Sequence, residues 1–509
     1  MSKSITHLVG LILAISSLFF ISAEAKEKLP LDAIVIMDSS GSMKYTDPKQ
    51  LRKPAAKLFI NLLGREDKLS VVSFSSKGWP IRIGQSRTFL TQLKTEKIKA
   101  SALKATDEIS HKGFQTNIYA ALEKGIELVK QSKQQNRDPI IVLMSDGKMD
   151  VGNAAKSQLL REKIISELIP QLKENGIKVY SIAFTQKSDQ QLLQQVAEET
   201  DGRYALAESD DVLHKVFAKI FEQSKEPNML PLTENKFMVD ASIQEITIIA
   251  NKKNSKSKIF LESSNGKRYN VKTKNKNMKW FVSNSFDMIT ITKPEEGEWK
   301  ILFSGDGNKA YIVANMQLRT DYQYNTESFY PELIIKTWLI KDNETLSNNE
   351  LINNLEINIE IEHPDKKLEN LKFSSAAKNG VFKTLFKPTM DGIYSATVIV
   401  TSKTFQRQQF FSFRAKIPKE PPPKPEPAVE PEPVPEPIIE AEPEPVKPVI
   451  EKEAAPEEVK AEPESDLVDA LIIFIIGNLI LIFIGANAFF VYRMIKNKKQ
   501  PVKTEDKTE

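Results

Sequence analysis

The chain contains no cysteine. That absence excludes disulfide staples, thiolate nucleophiles, cysteine-ligated zinc, iron–sulfur clusters and dithiol redox motifs together. Histidine is nearly as scarce, and its four positions, His7, His111, His214 and His363, are too scattered to suggest an imidazole-based metal or catalytic cluster. HExxH, GxSxG and Walker-type glycine loops are also missing. These gaps predict a protein that is not an enzyme. What remains is a chain of 509 residues, long enough for about three domains.

Both ends carry targeting signals. Lys3 and His7 precede an apolar run from Leu8 to Ile21 and a small-residue ending at Ala23-Glu24-Ala25, the pattern of a signal peptide over residues 1–25 cleaved before Lys26. A second apolar stretch, residues 470–492, has no charge and as a helix would span about 35 Å, enough to cross a bilayer once. Arg493, Lys496, Lys498 and Lys499 follow it, the positive cluster expected on the cytoplasmic side of a tail covering 493–509. Residues 418–464 hold 15 of the 28 prolines together with 14 Glu and 5 Lys. Such a segment cannot bury a core, and as polyproline II it would form a stalk reaching roughly 150 Å.

The net charge of +4 is an average over unlike parts. The stalk carries −9, Asp466 and Asp469 add −2, and the tail has six basic and three acidic residues for +3. With a neutral signal peptide, this leaves +12 on residues 26–417. A basic head on an acidic stalk favours acidic partners.

From Leu31 onward short apolar runs alternate with helix-period segments. Leu31 to Met37, Leu69 to Phe74, Ile140 to Met144 and Val179 to Phe184 read as buried strands. Leu51 to Leu63, Ile118 to Lys130, Gln158 to Lys173 and Gln190 to Glu199 read as helices, the third bent at Pro170. This alternation predicts an α/β doubly wound fold with a parallel sheet, in which ligands bind at the carboxyl ends of strands. Those ends carry Asp38-Ser39-Ser40-Gly41-Ser42-Met43, then Gly113-Phe114-Gln115-Thr116-Asn117 ahead of a helix, then Ser145-Asp146-Gly147. Oxygen-only donors of this kind suit a hard divalent cation such as Mg²⁺. Helix capping by Asp38 and the serines accounts for neither Thr116 nor Asp146. His111 and Asp150, near these loops, are read as solvated loop residues.

The region from about Leu31 to Gln223 resembles a von Willebrand factor A (VWA) domain, also seen as the integrin I domain. Asp38, Ser40 and Ser42 match the D-x-S-x-S part of its metal-ion-dependent adhesion site (MIDAS), Thr116 its threonine and Asp146 its distal aspartate. The resemblance implies that Ser40, Ser42 and Thr116 coordinate Mg²⁺ or Mn²⁺, with Asp38 and Asp146 acting mainly through water or hydrogen bonds. Three neutral hydroxyls leave the ion electrophilic, so a partner's Asp or Glu completes its coordination.

Past a helix at 210–223 the pattern turns to alternation without helices, predicting two β-sandwich modules at 235–320 and 328–417, after a VWA domain at 31–225. Pro294-Glu295-Glu296-Gly297-Glu298-Trp299 resembles the Gly-Glu-Trp turn of β-sandwich modules that follow A domains in some extracellular proteins. Asp391-Gly392-Ile393-Tyr394 resembles the tyrosine-bearing turn of immunoglobulin-like sandwiches. Trp280, Trp299 and Trp338 are read as core residues.

The whole predicts a membrane-anchored, divalent-metal-dependent protein-binding protein serving adhesion or complex scaffolding, with no nucleic-acid partner. Alternatives are an envelope assembly or stress factor recruiting a chaperone-type complex, or a metal-dependent hydrolase. A signal peptide, one span and an ectodomain free of cystines place it in a bacterial inner membrane, with the N-terminal region in the periplasm.

Overall fold

Leu31–Asp38 forms β1, and all eight residues are buried. Leu31, Ala33, Val35 and Met37 enter one apolar cluster while Ile34 and Ile36 enter another, so the strand is covered on both faces. A near-continuous apolar run is what such a strand requires. The structure is a computed structural model that describes residues 28–132, 136–325, 332–342, 344–347, 350–374 and 379–417. The expected signal peptide at 1–25, stalk at 418–464, apolar span at 470–492 and tail at 493–509 lie outside the described residues. Among the described residues no helix is long and apolar enough to cross a membrane.

The chain continues through α1 (Met43–Thr46), α2 (Arg52–Leu62), β2 (Lys68–Phe74), β3 (Gly78–Ile81), β4 (Thr91–Gln92), α3 (Glu96–Asp107) and α4 (Ile118–Ser132). Then come β5 (Asp138–Ser145), α5 (Ala154–Lys163), α6 (Ile169–Glu174), β6 (Lys178–Ala183), α7 (Gln190–Glu199), β7 (Tyr204–Leu206) and α8 (Asp210–Lys225). The sheet order is β3-β2-β1-β5-β6-β7, with β4 also on β2. Strands β2, β1, β5, β6 and β7 are parallel. The chain leaves β1 toward β2 on one side and reaches β5 on the other, so a crevice opens between the carboxyl ends of β1 and β5.

Sequence and structure differ locally. The helix expected to bend at Pro170 instead carries a π-helical turn at Ile164–Leu168, after which Pro170 sits in the first turn of α6. The wider turn relieves the missing N–H and the ring clash that proline imposes inside a helix. Helix α3 has no counterpart in the sequence pattern, because its buried face is made of Ala102, Ala105 and Thr106 and so gives little apolar signal. Strands β3, β4 and β7 are too short to show a period.

The second half contains β8 (Asn228–Met229), β9 (Lys236–Val239), β10 (Ile243–Asn251), β11 (Phe260–Glu262), β12 (Arg268–Tyr269), β13 (Met278–Val282), β14 (Phe286–Thr292), β15 (Gly297–Leu302) and β16 (Lys309–Ala314). It ends with β17 (Met316–Asn325), β18 (Glu332–Lys341), β19 (Glu344–Thr345), α9 (Glu350–Asn353), β20 (Glu356–Glu362), β21 (Leu368–Lys372), β22 (Phe382–Phe386), β23 (Gly392–Thr401) and β24 (Gln406–Ala415). Two apolar cores form. One contains Phe237, Ile246, Leu261 and Trp299, the other Leu318, Ile335, Tyr394 and Phe411. The second begins earlier than the expected residue 328, because β17 pairs along its whole length with β18. The Tyr394 hydroxyl accepts from the backbone N–H groups of Thr389 and Met390 and donates to the Met390 carbonyl, which closes the tyrosine-bearing turn.

These modules are not separate beads. Strand β8 pairs with β16 on one side and β24 on the other, joining half of each sandwich into a nine-stranded sheet, β13-β14-β10-β16-β8-β24-β23-β20-β21. The Asn228 side chain accepts from Leu318 N at 2.7 Å, anchoring this two-residue bridge to the second module. Helix α8 lies on the same sheet: Glu222 accepts from the Tyr311 hydroxyl at 3.0 Å and pairs with Lys309, and His214 meets Asn251 at 2.9 Å. Met229, Ile249, Phe286 and Tyr311 belong to the same apolar cluster as Phe59 and Phe217, so the core of the α/β head runs into the β platform.

Candidate functional site

The crevice between β1 and β5 gathers the expected residues. Register places Met37 beside Met144, so Asp38 at the end of β1 stands next to Ser145, with Asp146 following. Asp38 is fully buried. Its Oδ1 accepts from Ser40 N at 2.8 Å and its Oδ2 from Ser145 Oγ at 2.7 Å. Ser40 Oγ lies 2.9 Å from Ser42 Oγ, and Ser42 Oγ donates to Asp146 Oδ1 at 2.9 Å. A hydroxyl that gives its proton to a carboxylate keeps lone pairs for a cation.

Thr116 arrives from the far side, on the loop before α4. Its backbone forms a reciprocal pair with Asp150, N to O at 2.8 Å and back at 3.0 Å. Thr116 Oγ1 lies 3.1 Å from where a Cβ on Gly147 would stand, so glycine after Asp146 leaves room for the hydroxyl. The preceding residues are tied to the first loop: Gly113 N donates to Ser39 O at 2.9 Å. All five expected residues, Asp38, Ser40, Ser42, Thr116 and Asp146, therefore meet at one end of the sheet. Asp150 contributes through its backbone while its carboxylate accepts from Gly152 N.

Three contributors escaped the sequence reading. Ser145 donates to Asp38, and Thr46 Oγ1 donates to Asp146 Oδ2. Ser145 adjoins Asp146 in sequence and could have been flagged there, whereas Thr46 comes into reach only through the turn of α1. The third is a buried brace. Arg52 on α2 donates to Asp47 Oδ2 at 2.6 Å and to the Ser110 carbonyl at 3.1 Å, linking the end of α1 to the loop that leads to Gly113. Both loops that bear hydroxyl donors are thereby fastened to one guanidinium.

The electrostatics set this site apart. Among the described residues the buried carboxylates are Asp32, Asp38, Asp47, Asp67, Asp146, Glu222, Glu226 and Asp287. Six have a cationic partner: Asp32 with Arg137, Asp47 with Arg52, Asp67 with Lys225, Glu222 with Lys309, Glu226 with Lys28, and Asp287 with Lys252. Asp38 and Asp146 form no such pair. Burial, and then the charge of Asp146, push the Asp38 carboxyl up to about 6, against the hydrogen bonds from Ser40 and Ser145. Two buried carboxylates in mutual repulsion beside three neutral hydroxyls fit a divalent cation, which would supply the missing positive charge. No group of three or more His, Cys, Asp or Glu side chains is placed to hold a metal among the described residues, so any ion here depends on hydroxyl donors.

Two family models match stretches of this chain. Residues 32–219 match the model of the von Willebrand factor type A domain, and residues 220–314 match that of the hemicentin galactose-binding domain-like module. No curated protein matches the chain. Among solved structures, a von Willebrand factor type A protein from Catenulispora acidiphila is 13% identical, with a TM-score of 0.33 over 61% of this chain and 64% of that one. The pilus adhesin SpaC from Lactobacillus rhamnosus GG is 13% identical, with a TM-score of 0.33 over 74% of this chain and 54% of that one. Manganese-loaded TRAP protein from Plasmodium vivax is 19% identical, with a TM-score of 0.29 over 38% of this chain and 75% of that one. This chain thus spans less than two thirds of the first two structures. With its parallel sheet, its crevice and its family match together, the segment 32–219 is a von Willebrand factor type A domain.

Proposed function

We propose that the VWA domain binds Mg²⁺ or Mn²⁺ through Ser40, Ser42 and Thr116, and that the ion docks an Asp or Glu carboxylate of a protein partner. The observation that carries this reading is the pair Asp38 and Asp146, the buried carboxylates without a cationic partner among the described residues. Asp38 orients the first loop by accepting from Ser40 N, and Asp146 accepts the hydrogen bond of the Ser42 hydroxyl, so that hydroxyl accepts from Ser40 Oγ and keeps a further lone pair for a cation. The bound ion supplies Lewis acidity toward an incoming carboxylate. Because the direct donors would be neutral hydroxyls, with Asp38 and Asp146 acting through hydrogen bonds, the ion would keep capacity for an incoming carboxylate.

The protein is in this reading a binding device and not an enzyme. In this reading the apolar segment 470–492 anchors the chain in a bacterial inner membrane, with the VWA domain exported to the periplasm. A pull-down in Mg²⁺ with the wild type beside Asp38→Ala tests the metal reading. A partner retained by the wild type, released by EDTA and lost from the variant is expected; equal capture by both proteins in EDTA refutes it.

A further inference from the structure

Resting on the metal-docking reading above, we propose that the rim of the cation site is a composite receptor for an acidic partner segment with a large apolar side chain beside its metal-seeking carboxylate. The two most exposed large hydrophobic residues among those described are Phe114 at 99% and Tyr45 at 80%, followed by Phe303 at 65%. Single exposed apolar residues are ordinary on protein surfaces. Here the leading two stand on the two loops that carry the hydroxyl donors, Tyr45 three residues after Ser42 and Phe114 two residues before Thr116.

Phe114 is held outward by a pinned backbone. On one side Gly113 N donates to Ser39 O at 2.9 Å; on the other Ser75 Oγ donates to Gln115 O at 2.7 Å, and Asn117 N donates to Ser75 O at 2.8 Å. A Cβ on Gly113 would stand 2.2 Å from Ser75 Oγ, so the loop packs this closely only with glycine there. An aromatic side chain presented on a braced loop keeps its apolar surface available at little cost in ordering, which is how aromatic anchors act in binding sites.

The charges around these rings have one dominant sign. Lys44 and Lys49 flank Tyr45, Lys112 precedes Gly113, Lys148 follows Asp146 by two residues, and Lys187 lies on the loop whose Thr185 donates to the Asp146 carbonyl; all five lysines are exposed. None of them takes part in an ion pair among the described residues, and Lys44 Nζ lies 5.9 Å from the Tyr45 ring centroid. Two exposed acids stand against them, Asp150, whose carboxylate accepts from Gly152 N, and Glu208, which accepts from Gln186 Nε2 at 3.4 Å beside Lys187. A cation-seeking carboxylate entering this rim would meet lysines that favour further acidic residues and aromatic faces that favour an apolar neighbour.

The test uses the full chain and two fluorescent synthetic peptides of about twelve residues, both glutamate-rich with one central aspartate. One flanks the aspartate with Leu and Phe, the other with two Ser. In Mg²⁺ the Leu/Phe peptide should bind about tenfold more tightly by fluorescence anisotropy, the ratio expected from burying one large apolar side chain. Phe114→Ser should collapse that ratio toward one with the melting temperature unchanged, and Lys112→Glu with Lys148→Glu should weaken both peptides. Equal affinities that vanish in EDTA overturn the composite rim and leave the metal reading standing. Binding indifferent to EDTA, or binding of neither peptide, overturns the metal reading together with the rim.

Discussion

The crevice at the end of β1 and β5 and the β platform handle buried charge in opposite ways. In the platform Asp240 accepts two hydrogen bonds from the fully buried Arg407, at 2.6 and 3.1 Å, and Asp287 pairs with Lys252 at 2.9 Å. Burial alone would push the Asp240 carboxyl up, but the hydrogen bonds and charge of Arg407, with help from Ser242, hold it below the usual carboxylate range. In the head Asp38 is pushed the other way, up to about 6. A buried carboxylate with a guanidinium has its charge compensated within the protein, whereas one facing a second carboxylate and a row of hydroxyls lacks that compensation, which the proposed cation would supply. The contrast also holds inside the head, where Asp47 and Arg52 close on each other a few residues from the site.

The largest effect should come from breaking the platform pair. Asp240→Ala leaves the Arg407 guanidinium buried without its carboxylate and should destabilise the protein by about 3 kcal/mol, read by urea unfolding, with no dependence on Mg²⁺. Equal loss with and without metal sharpens the contrast; a loss that Mg²⁺ repairs would break it.

Next comes the site pair. Wild type at a Mg²⁺ concentration about a hundredfold above its dissociation constant should gain roughly 2.7 kcal/mol by mass action. Asp38→Ala should gain none, and in EDTA should melt no lower than wild type because a repulsive buried charge has been removed. A Mg²⁺-dependent rise in the melting temperature of Asp38→Ala would show that the ion binds elsewhere.

A smaller effect concerns the seam between the two regions. Lys219 on α8 sits 4.0 Å from the Phe410 ring centroid of β24, and burial lowers its ammonium to about 8, only partly offset by Glu222. Between about 8 and the ordinary value of 10.5 the unfolded chain holds a proton that the folded chain has released, so this group makes stability rise with pH across that window. Lys219→Met should therefore be more stable than wild type near pH 7, and its advantage should shrink as the pH climbs from 8 toward 10. Chemical unfolding at several pH values measures it, and an advantage that grows with pH would contradict the assignment. The smallest effect is Phe114→Ser, which should move the unfolding free energy by no more than about 0.5 kcal/mol, since the ring has almost no contacts to lose.

Much of the site was legible because its spacing is local. Asp38, Ser40 and Ser42 lie within five residues, and a strand end followed by a tight turn leaves them little freedom. The paired role of Asp146 and the arrival of Thr116 came from strand-helix alternation, which fixes the end of the sheet to which each loop belongs. Thr46 reached Asp146 without a sequence signal, since a threonine one turn into a short helix is ordinary. Strand β8 was illegible for a different reason: two residues, Asn228 and Met229, have no periodicity, yet they join two sandwiches into one sheet.

By itself the sequence determined the parallel-sheet head, the loops that bring Asp38, Ser40, Ser42, Thr116 and Asp146 to one end of it, and the β-rich character of the platform, because hydrophobic period and turn chemistry are written in neighbouring residues. Only the tertiary structure decided which buried carboxylates are neutralised and which are left facing each other. Arg407 and Lys252 reach their partners across folds of the chain, and that no Lys, Arg or His side chain among the described residues pairs with Asp38 or Asp146 is a property of packing that no local pattern encodes.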